Sequence, residues 1–334
     1  MKKLRILSFV LALLLLVPAL VACGDKGDAD INVYTLNGTT GFGMAKLMND
    51  AKADENSKYH FTVKLDASDV TTALINGDAD IAALPTNAAA NVYQKTEGGV
   101  TVLAINTLGC LYMVTTDPSI SISSISDLKG QTVYVPAQNP TFILTYLCRA
   151  NGLTVGDGTN GTVKIDSTSY AKPDNLKDAV AAGEVKIAVL PEPMVTIATN
   201  AAKQNNVTVK NVMDLTAVWD KATTKGSLVQ GCIVVRNEFL EKNKKAVENF
   251  LTAYEASINY LSTNTAEAAQ MVKDNGIFAN ADVAKVAIPK CNVCYLDGDE
   301  MKAKMSNYLS ILFDIAPASV GGALPEDDFY YNAK

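Results

Sequence analysis

The sequence predicts an α/β protein of two doubly wound lobes joined by a two-strand hinge. Three observations carry that prediction. Strand-like and helix-like runs alternate from residue 31, the alternation restarts near residue 127, and one short pattern occurs in both series. "GDADIAALP" (77–85) and "GEVKIAVLP" (183–191) share Gly, an acid, two variable residues, Ile-Ala, a small apolar residue and Leu-Pro. A helix-like run precedes each copy and another follows it. A chain of 334 residues is too long for one typical core and suits two.

The first series reads strand "INVYTL", helix "GFGMAKLMNDA", strand "HFTVKLD", helix 69–76, strand "ADIAALP", helix 87–95 and strand "VTVLAINTL". The second reads "DLKGQTVYVP", helix "TFILTYLCRANG", strand "TVKIDS", helix 175–182, strand "VKIAVLP" and helix 193–203. "GSLVQGCIVVR" (226–236) is one more strand, and beyond it the chain is mainly helical. Val247, Phe250, Leu251, Tyr254, Ile258 and Leu261 recur at helical spacing and give one buried stripe. Helices without a sheet of their own are expected to cover the first sheet. The expected first lobe is therefore 31–109 with 233–334 and the second 114–229, with hinge segments 109–114 and 229–233. "LGCLYMVTT" and "QGCIVVR" each carry Gly-Cys before an apolar strand at these joints. Ordinary sheet strands with a coincidental Gly-Cys are the alternative reading.

Residues 1–22 read as a signal peptide. Lys2, Lys3 and Arg5 precede the apolar run "ILSFVLALLLLVPALVA", which contains Pro18 and is short for a membrane span. "LVAC" (20–23) resembles the bacterial lipobox, in which Cys23 becomes the acylated N-terminus. Residues 23–30 then form a polar tether. The expectation is a palmitate-bearing lipoprotein on the extracytoplasmic side of a bacterial cell membrane. Without the three basic residues of the leader, 26 Lys and Arg face 35 Asp and Glu, a net charge of −9. No Lys/Arg cluster remains, which argues against a nucleic-acid partner.

Cys110, Cys148 and Cys232 lie in apolar runs and read as buried small hydrophobes. "CNVC" (Cys291, Cys294) has the spacing of a metal or redox motif. No second Cys pair exists and His60 is the only His, so no metal site is expected, and a local disulfide or two free thiols remain. Gly-x-Ser-x-Gly, His-Glu-x-x-His and Ser-x-x-Lys are absent. These absences leave an enzyme unsupported without excluding one, and no catalytic residue or cofactor is expected.

In open parallel sheets, ligands bind beyond the carboxyl ends of the strands. Leu-Pro is that end in both copies of the repeat, and a helix start offers unpaired N–H groups and a partial positive charge. Thr86, Asn87 and Glu192 are candidate ligand residues on that ground. "NGTTG" (Asn37, Gly38, Thr39, Thr40, Gly41) opens the first helix and is able to bring N–H groups to a small anion, or is a plain Gly-rich turn. "AQNPT", with Gln138, Asn139 and Thr141, is its counterpart in the second series. Tyr170 ends a strand, where it stacks on a planar ligand or covers the loop. Glu192 accepts from an amine or ring N–H, or is a structural acid at a helix start.

The lipobox, "GDADIAALP", "ISDLKGQTVYVP", "AVLPEP" and "FLEKNKKAVENFLTAYEASINYL" follow one another as in a known family. The chain resembles ABC-importer solute-binding lipoproteins of the nitrate/sulfonate/taurine/thiamine-precursor type, of the periplasmic binding protein type II superfamily. The resemblance implies a monomeric two-lobed protein that closes on a small organic solute and delivers it to membrane permease subunits. By matching position, the cleft falls on residues 37–41, 86–87, 138–141 and 192. None of these loops contains Arg, which sets the chain apart from binders of strongly anionic solutes. An enzyme of the thiamine-pyrimidine synthase-like branch and an extracytoplasmic ligand sensor are the alternatives within this resemblance.

Overall fold

The computed structural model describes residue 27 and residues 29–223 and 226–332. The expected leader, Cys23 and most of the tether lie outside the described residues. The chain builds two six-stranded sheets. The first holds β1 (Ile31–Leu36), β2 (Tyr59–Lys64), β3 (Ile81–Pro85), β4 (Val100–Leu108), β11 (Val229–Arg236) and β12 (Val293–Leu296). The second holds β5 (Leu111–Thr115), β6 (Thr132–Tyr134), β7 (Val155–Gly156), β8 (Val163–Asp166), β9 (Ile187–Pro191) and β10 (Lys210–Asp214). Their orders are β12-β4-β11-β3-β1-β2 and β10-β5-β9-β6-β8-β7. Both are mixed rather than wholly parallel. β11 runs antiparallel to β3 and β4, and β5 runs antiparallel to β9 and β10.

The two copies of the repeat occupy the same place in the two sheets. β3 lies between β1 and the returning β11; β9 lies between β6 and β5. The repeated Gly is a helix stop, because Gly77 and Gly183 both adopt the left-handed conformation (φ 83° and 75°) after helices α3 (Ala67–Asn76) and α6 (Pro173–Ala182). The apolar core of the repeat follows from burial on both faces. Ile81 and Ala83 enter one apolar cluster and Ala82 and Leu84 another. In β9, Ile187 and Val189 face one cluster while Ala188 and Leu190 face the other. A strand covered on both sides loses polar alternation and reads as a continuous apolar run.

Helices α10 (Lys244–Thr263), α11 (Thr265–Asp274) and α12 (Ala281–Ala287) cover the first sheet on the side of Ile31, Val33, Ile81 and Leu103. The last helix, α13 (Gly298–Ile315), lies on the opposite side and meets the second sheet's layer too. Its Tyr308 is 5.6 Å from the Trp219 ring of α8 (Leu215–Ala222). Trp219 in turn lies 4.6 Å from Tyr146 of α5 (Asn139–Ala150). One apolar cluster therefore runs through both lobes.

The first joint lies inside the expected segment 109–114, and the second does not coincide with 229–233. The first change of sheet takes only Gly109 and Cys110, since Leu111 already pairs with Pro191. The expected hinge 229–233 is instead part of the first sheet: Val229 pairs with Leu108, and Cys232, Ile233 and Val234 are fully buried between β3 and β4. Three consecutive apolar residues need cover on both faces, which a free joint does not give. The return crossing runs ahead of Val229, through α8. The two crossings do lie side by side, since a Cβ on Gly109 would meet both Thr216 and Leu228, and Gln230 Oε1 and Asn292 fasten the first crossing by accepting from the Cys110 N–H at 2.6 Å and donating to the Gly109 carbonyl. Gly109 has no room for a side chain: a Cβ there would lie 2.1 Å from Thr216 Oγ1.

Candidate functional site

Loops from both lobes meet at the carboxyl ends of the central strands. From the first lobe come α1 (Thr39–Phe42) after β1 and α4 (Thr86–Lys95) after β3; from the second come α5 after β6 and α7 (Met194–Ala202) after β9. Two of these loops share an unusual backbone. Gly38 (φ 91°, ψ −156°) and Gln138 (φ 70°, ψ −127°) stand immediately before their helices. Glycine reaches this region freely; Gln138 does so at a cost on the order of 1–3 kcal/mol, the kind of strain found at ligand sites.

Direct bonds cross the cleft. Asn139 Nδ2 donates to Asn87 Oδ1 at 2.8 Å, and Thr39 Oγ1 donates to the Glu192 carbonyl at 2.8 Å. Tyr112 Oη donates to the Lys290 carbonyl at 2.9 Å, and Lys290 Nζ lies 3.5 Å from Glu192 Oε1. Among the described residues nine buried side-chain polar atoms have no partner within the protein, and three of them, Thr35 Oγ1, Thr86 Oγ1 and Asn139 Oδ1, belong to the carboxyl end of β1 and the first residues of α4 and α5. Buried polar atoms are normally hydrogen-bonded, which makes these strand and helix ends the candidate place for a polar group.

The remaining expected residues have varied places. Asn37 is exposed, and its N–H closes the β1–β2 edge on the Lys64 carbonyl at 2.8 Å. The Thr40 carbonyl accepts from Asn106 Nδ2 at 3.1 Å. Gly41 is buried, and a Cβ there would fall 2.2 Å from the Leu36 carbonyl. Thr141 Oγ1 donates to the Pro136 carbonyl at 3.0 Å and holds the loop rather than the cleft.

Tyr170 does not join the cluster. Its ring packs edge-on against Tyr134 and its hydroxyl points to Glu184, at the amino end of β9. These contacts hold it against Tyr134 of β6 and away from the seam. The turn before it is held by Asp166, which accepts from the Ser169 and Thr168 N–H groups; Ser169's N–H does most to bring this carboxyl down to about 2, against the opposing effect of burial. Its folded value lies below the usual 3.8, so its contribution to stability is present above about pH 4 and lost as the pH falls toward 2. Asp166→Asn is expected to flatten the fall of Tm across that window, as measured by calorimetry from pH 5 to pH 2.5.

Glu192 is buried. Its Oε2 accepts from the Thr196 N–H at 3.1 Å, and its Oε1 accepts from the Thr196 hydroxyl at 3.0 Å. That is the geometry of an acid holding the start of its own helix. Three residues at the candidate site, Thr35, Tyr112 and Lys290, were missed in sequence. Thr35 shares the inward face of β1 with Ile31 and Val33, so the period of two within "INVYTL" was enough to find it. Lys290 had no such signal, because a turn far along the chain brings it to Glu192.

The "CNVC" cysteines part company, with Cys291 in one apolar cluster and Cys294 against the other, and both thiols are free. Cys110 and Cys291 flank Thr39, and burial, the main cause, pushes the Cys110 thiol up to about 12. Cavities of about 550 Å³ (Met48, Tyr59, Phe61, Asn275) and about 330 Å³ (Leu251, Tyr295, Tyr331) lie on the first lobe, away from these loops. They lack the convergence of groups from both lobes. No helix among the described residues is long and apolar enough to cross a membrane.

Known proteins agree with this architecture. An ABC transporter protein from Parabacteroides distasonis superposes with a TM-score of 0.76 at 23% identity, covering 92% of this chain and 100% of that one. The periplasmic aliphatic sulphonate binding protein SsuA from Escherichia coli gives 0.68 at 14% identity, covering 92% and 93%. The ligand-binding component of an ABC-type import system from Staphylococcus aureus, with zinc bound, gives 0.65 at 15%, covering 90% and 96%. No curated protein sequence matches. Residues 44–282 match the sequence profile of a family described as ABC transporter, phosphonate, periplasmic substrate-binding protein. With most of its length matched, and with two lobes whose loops converge on one polar seam, the chain belongs to that family of periplasmic substrate-binding proteins of ABC transporters.

Proposed function

We propose that this binding protein is the lipid-anchored receptor of a bacterial ABC importer and takes a small organic monoanion or zwitterion of the sulfonate kind. In this reading residues 29–108 with 229–332 form one lobe and 111–222 the other, and they close on the solute by bending at the two crossings. It hands the solute to permease subunits and does no chemistry on it. Acylated Cys23 holds it to the membrane.

The observation that carries the reading is the donor set at the seam. The Thr35 and Thr86 hydroxyls and the N-termini of α4 and α5 offer neutral donors to an oxyanion, while Asn139 Oδ1 is an acceptor awaiting an N–H or O–H. The one cation at the seam among the described residues, Lys290, is paired with Glu192. Neutral donors with no free cation suit a single negative charge better than two. The Escherichia coli relative is a binder of aliphatic sulfonates by its description, which supports the same solute class.

Isothermal titration with taurine, ethanesulfonate and methylphosphonate tests it. The sulfonates are expected to bind more tightly than the phosphonate at a pH where the latter is a dianion. Asn87→Ala and Asn139→Ala are each expected to weaken binding by roughly five- to a hundredfold, from about 1–3 kcal/mol for a hydrogen bond lost in a closed cleft. Their Tm values should stay within a few degrees of wild type, since neither side chain caps its helix and the bond the two share contributes only about 1 kcal/mol. Wild-type affinity in both variants would move the site away from this seam.

A further inference from the structure

Lys290 ends the short turn Ile288–Lys290 on the first lobe and engages the second lobe twice. Its carbonyl accepts from Tyr112 and its ammonium faces the carboxylate of Glu192. The Glu192 side chain is wholly buried, whereas that of Lys290 is 45% exposed. The carboxylate is fixed from its own lobe by Thr196, through one N–H and one hydroxyl, so the one cation paired with it among the described residues comes from across the cleft. The nearby Cys110 and Cys291 thiols are kept neutral by burial and do not compete as counter-charges. A buried carboxylate that loses its only cation is strongly disfavoured, which makes separation of the lobes costly at this point.

We infer that Lys290 is a resident stand-in for a solute amine: its ammonium fills an alkylammonium slot on Glu192, latching the lobes and shutting that slot to amine-bearing solutes. The inference deepens the proposed function, since it makes Lys290 a positioning residue that narrows solute choice. It also explains why Glu192 stands in the cleft without being free to bind. An amine-bearing solute must then be held through its anionic end and Asn139, not through Glu192.

The test uses the purified protein with no solute added, so its failure leaves the sulfonate reading standing, and failure of that reading leaves the latch standing. Small-angle scattering of the wild type is expected to fit the closed arrangement. Lys290→Ala is expected to shift the closed-to-open ratio on the order of tenfold toward open, given the cost of an uncompensated buried charge. Methylammonium should restore compaction to Lys290→Ala by entering the emptied slot, whereas tetramethylammonium, which has no N–H to donate, should not. Lys290→Arg should stay closed. Rescue by methylammonium is a response that a purely structural lysine would not give.

If Lys290→Ala does not fold by circular dichroism, Lys290→Met and Glu192→Gln take its place. Lys290→Met should open and be closed again by methylammonium; Glu192→Gln should open and ignore it. A folded Lys290 variant as compact as wild type, or one that opens but does not respond to methylammonium, would overturn the inference.

Discussion

Trp219→Ala is expected to lower stability by about 3–5 kcal/mol, the usual cost of emptying a fully buried Trp site. For a chain of this size that is a fall in Tm on the order of 10 °C. Trp219 is 1% exposed and lies between Tyr146 and Tyr308, so the cavity opens where the two lobes share one apolar cluster. The damage should therefore reach the contact between lobes as well as the local fold. Limited proteolysis should become faster next to α8, at residues 226–228, and Trp219→Phe should recover part of the loss. Circular dichroism is the readout, because this is the chain's only Trp and its fluorescence goes with it. A fall in Tm of less than a few degrees would mean that the lobes do not depend on this contact.

Asp80→Ala should have the next largest effect, about 2–4 kcal/mol once partial exposure of its partner is allowed for. Asp80 Oδ1 accepts from Arg236 at 2.9 Å, and its Oδ2 accepts from the backbone and side-chain N–H groups of Asn32 at 2.9 and 3.1 Å. One carboxylate thus ties β1, β3 and β11 together at the amino end of the first sheet. Its side chain is 8% exposed and that of Arg236 is 21% exposed, so removing the acid leaves a mostly covered guanidinium with only the Ala79 carbonyl and the exposed Glu238 as partners among the described residues. The double variant Asp80→Ala with Arg236→Met should lose less than the single Asp80 variant in urea denaturation. An equal or greater loss would show the ion pair to be incidental to the backbone bonds. The second repeat has Lys186 at the matching position, paired with Asp117 but 73% exposed, where far less should be lost on substitution.

The repeat was legible because it is local: a helix, a Gly in the left-handed conformation, a strand buried on both faces and a Pro each leave their mark within nine residues. The joints were not. β5 and β11 are central strands rather than connectors, and nothing within "GCLYMVT" or "GCIVVR" says which sheet will receive it. β10 and α8 escaped for the opposite reason. "KNVMD" is an edge strand with mostly open faces, so it lacks the apolar alternation that identifies a strand.

At the site, the loops that follow strands were found by the rule of carboxyl ends, and Asn87, Asn139 and Thr39 do meet across the lobes. Lys290 and Tyr112 were out of reach, since their contacts span 98 and 178 residues and depend on how the lobes dock. Glu192 lies at the same seam, where its carboxylate is engaged by Thr196 and Lys290 of the protein itself.

The insertion of β11 between β3 and β4 has a consequence for the order of assembly. The second sheet is made from one uninterrupted stretch, 111–214, and can form as soon as that stretch is available. The first sheet cannot. Its opening four strands include two, β3 and β4, that never touch edge to edge, because the strand that joins them lies more than a hundred residues downstream. Until it arrives, β3 and β4 each present an open row of backbone donors and acceptors, a template for pairing with the wrong chain. Closing such long-range contacts is slow, and partly built sheets are prone to aggregation. The vulnerable interval in this protein's life therefore lies before residue 229 is in place, and holding factors that shield strand edges should be most needed by its N-terminal third.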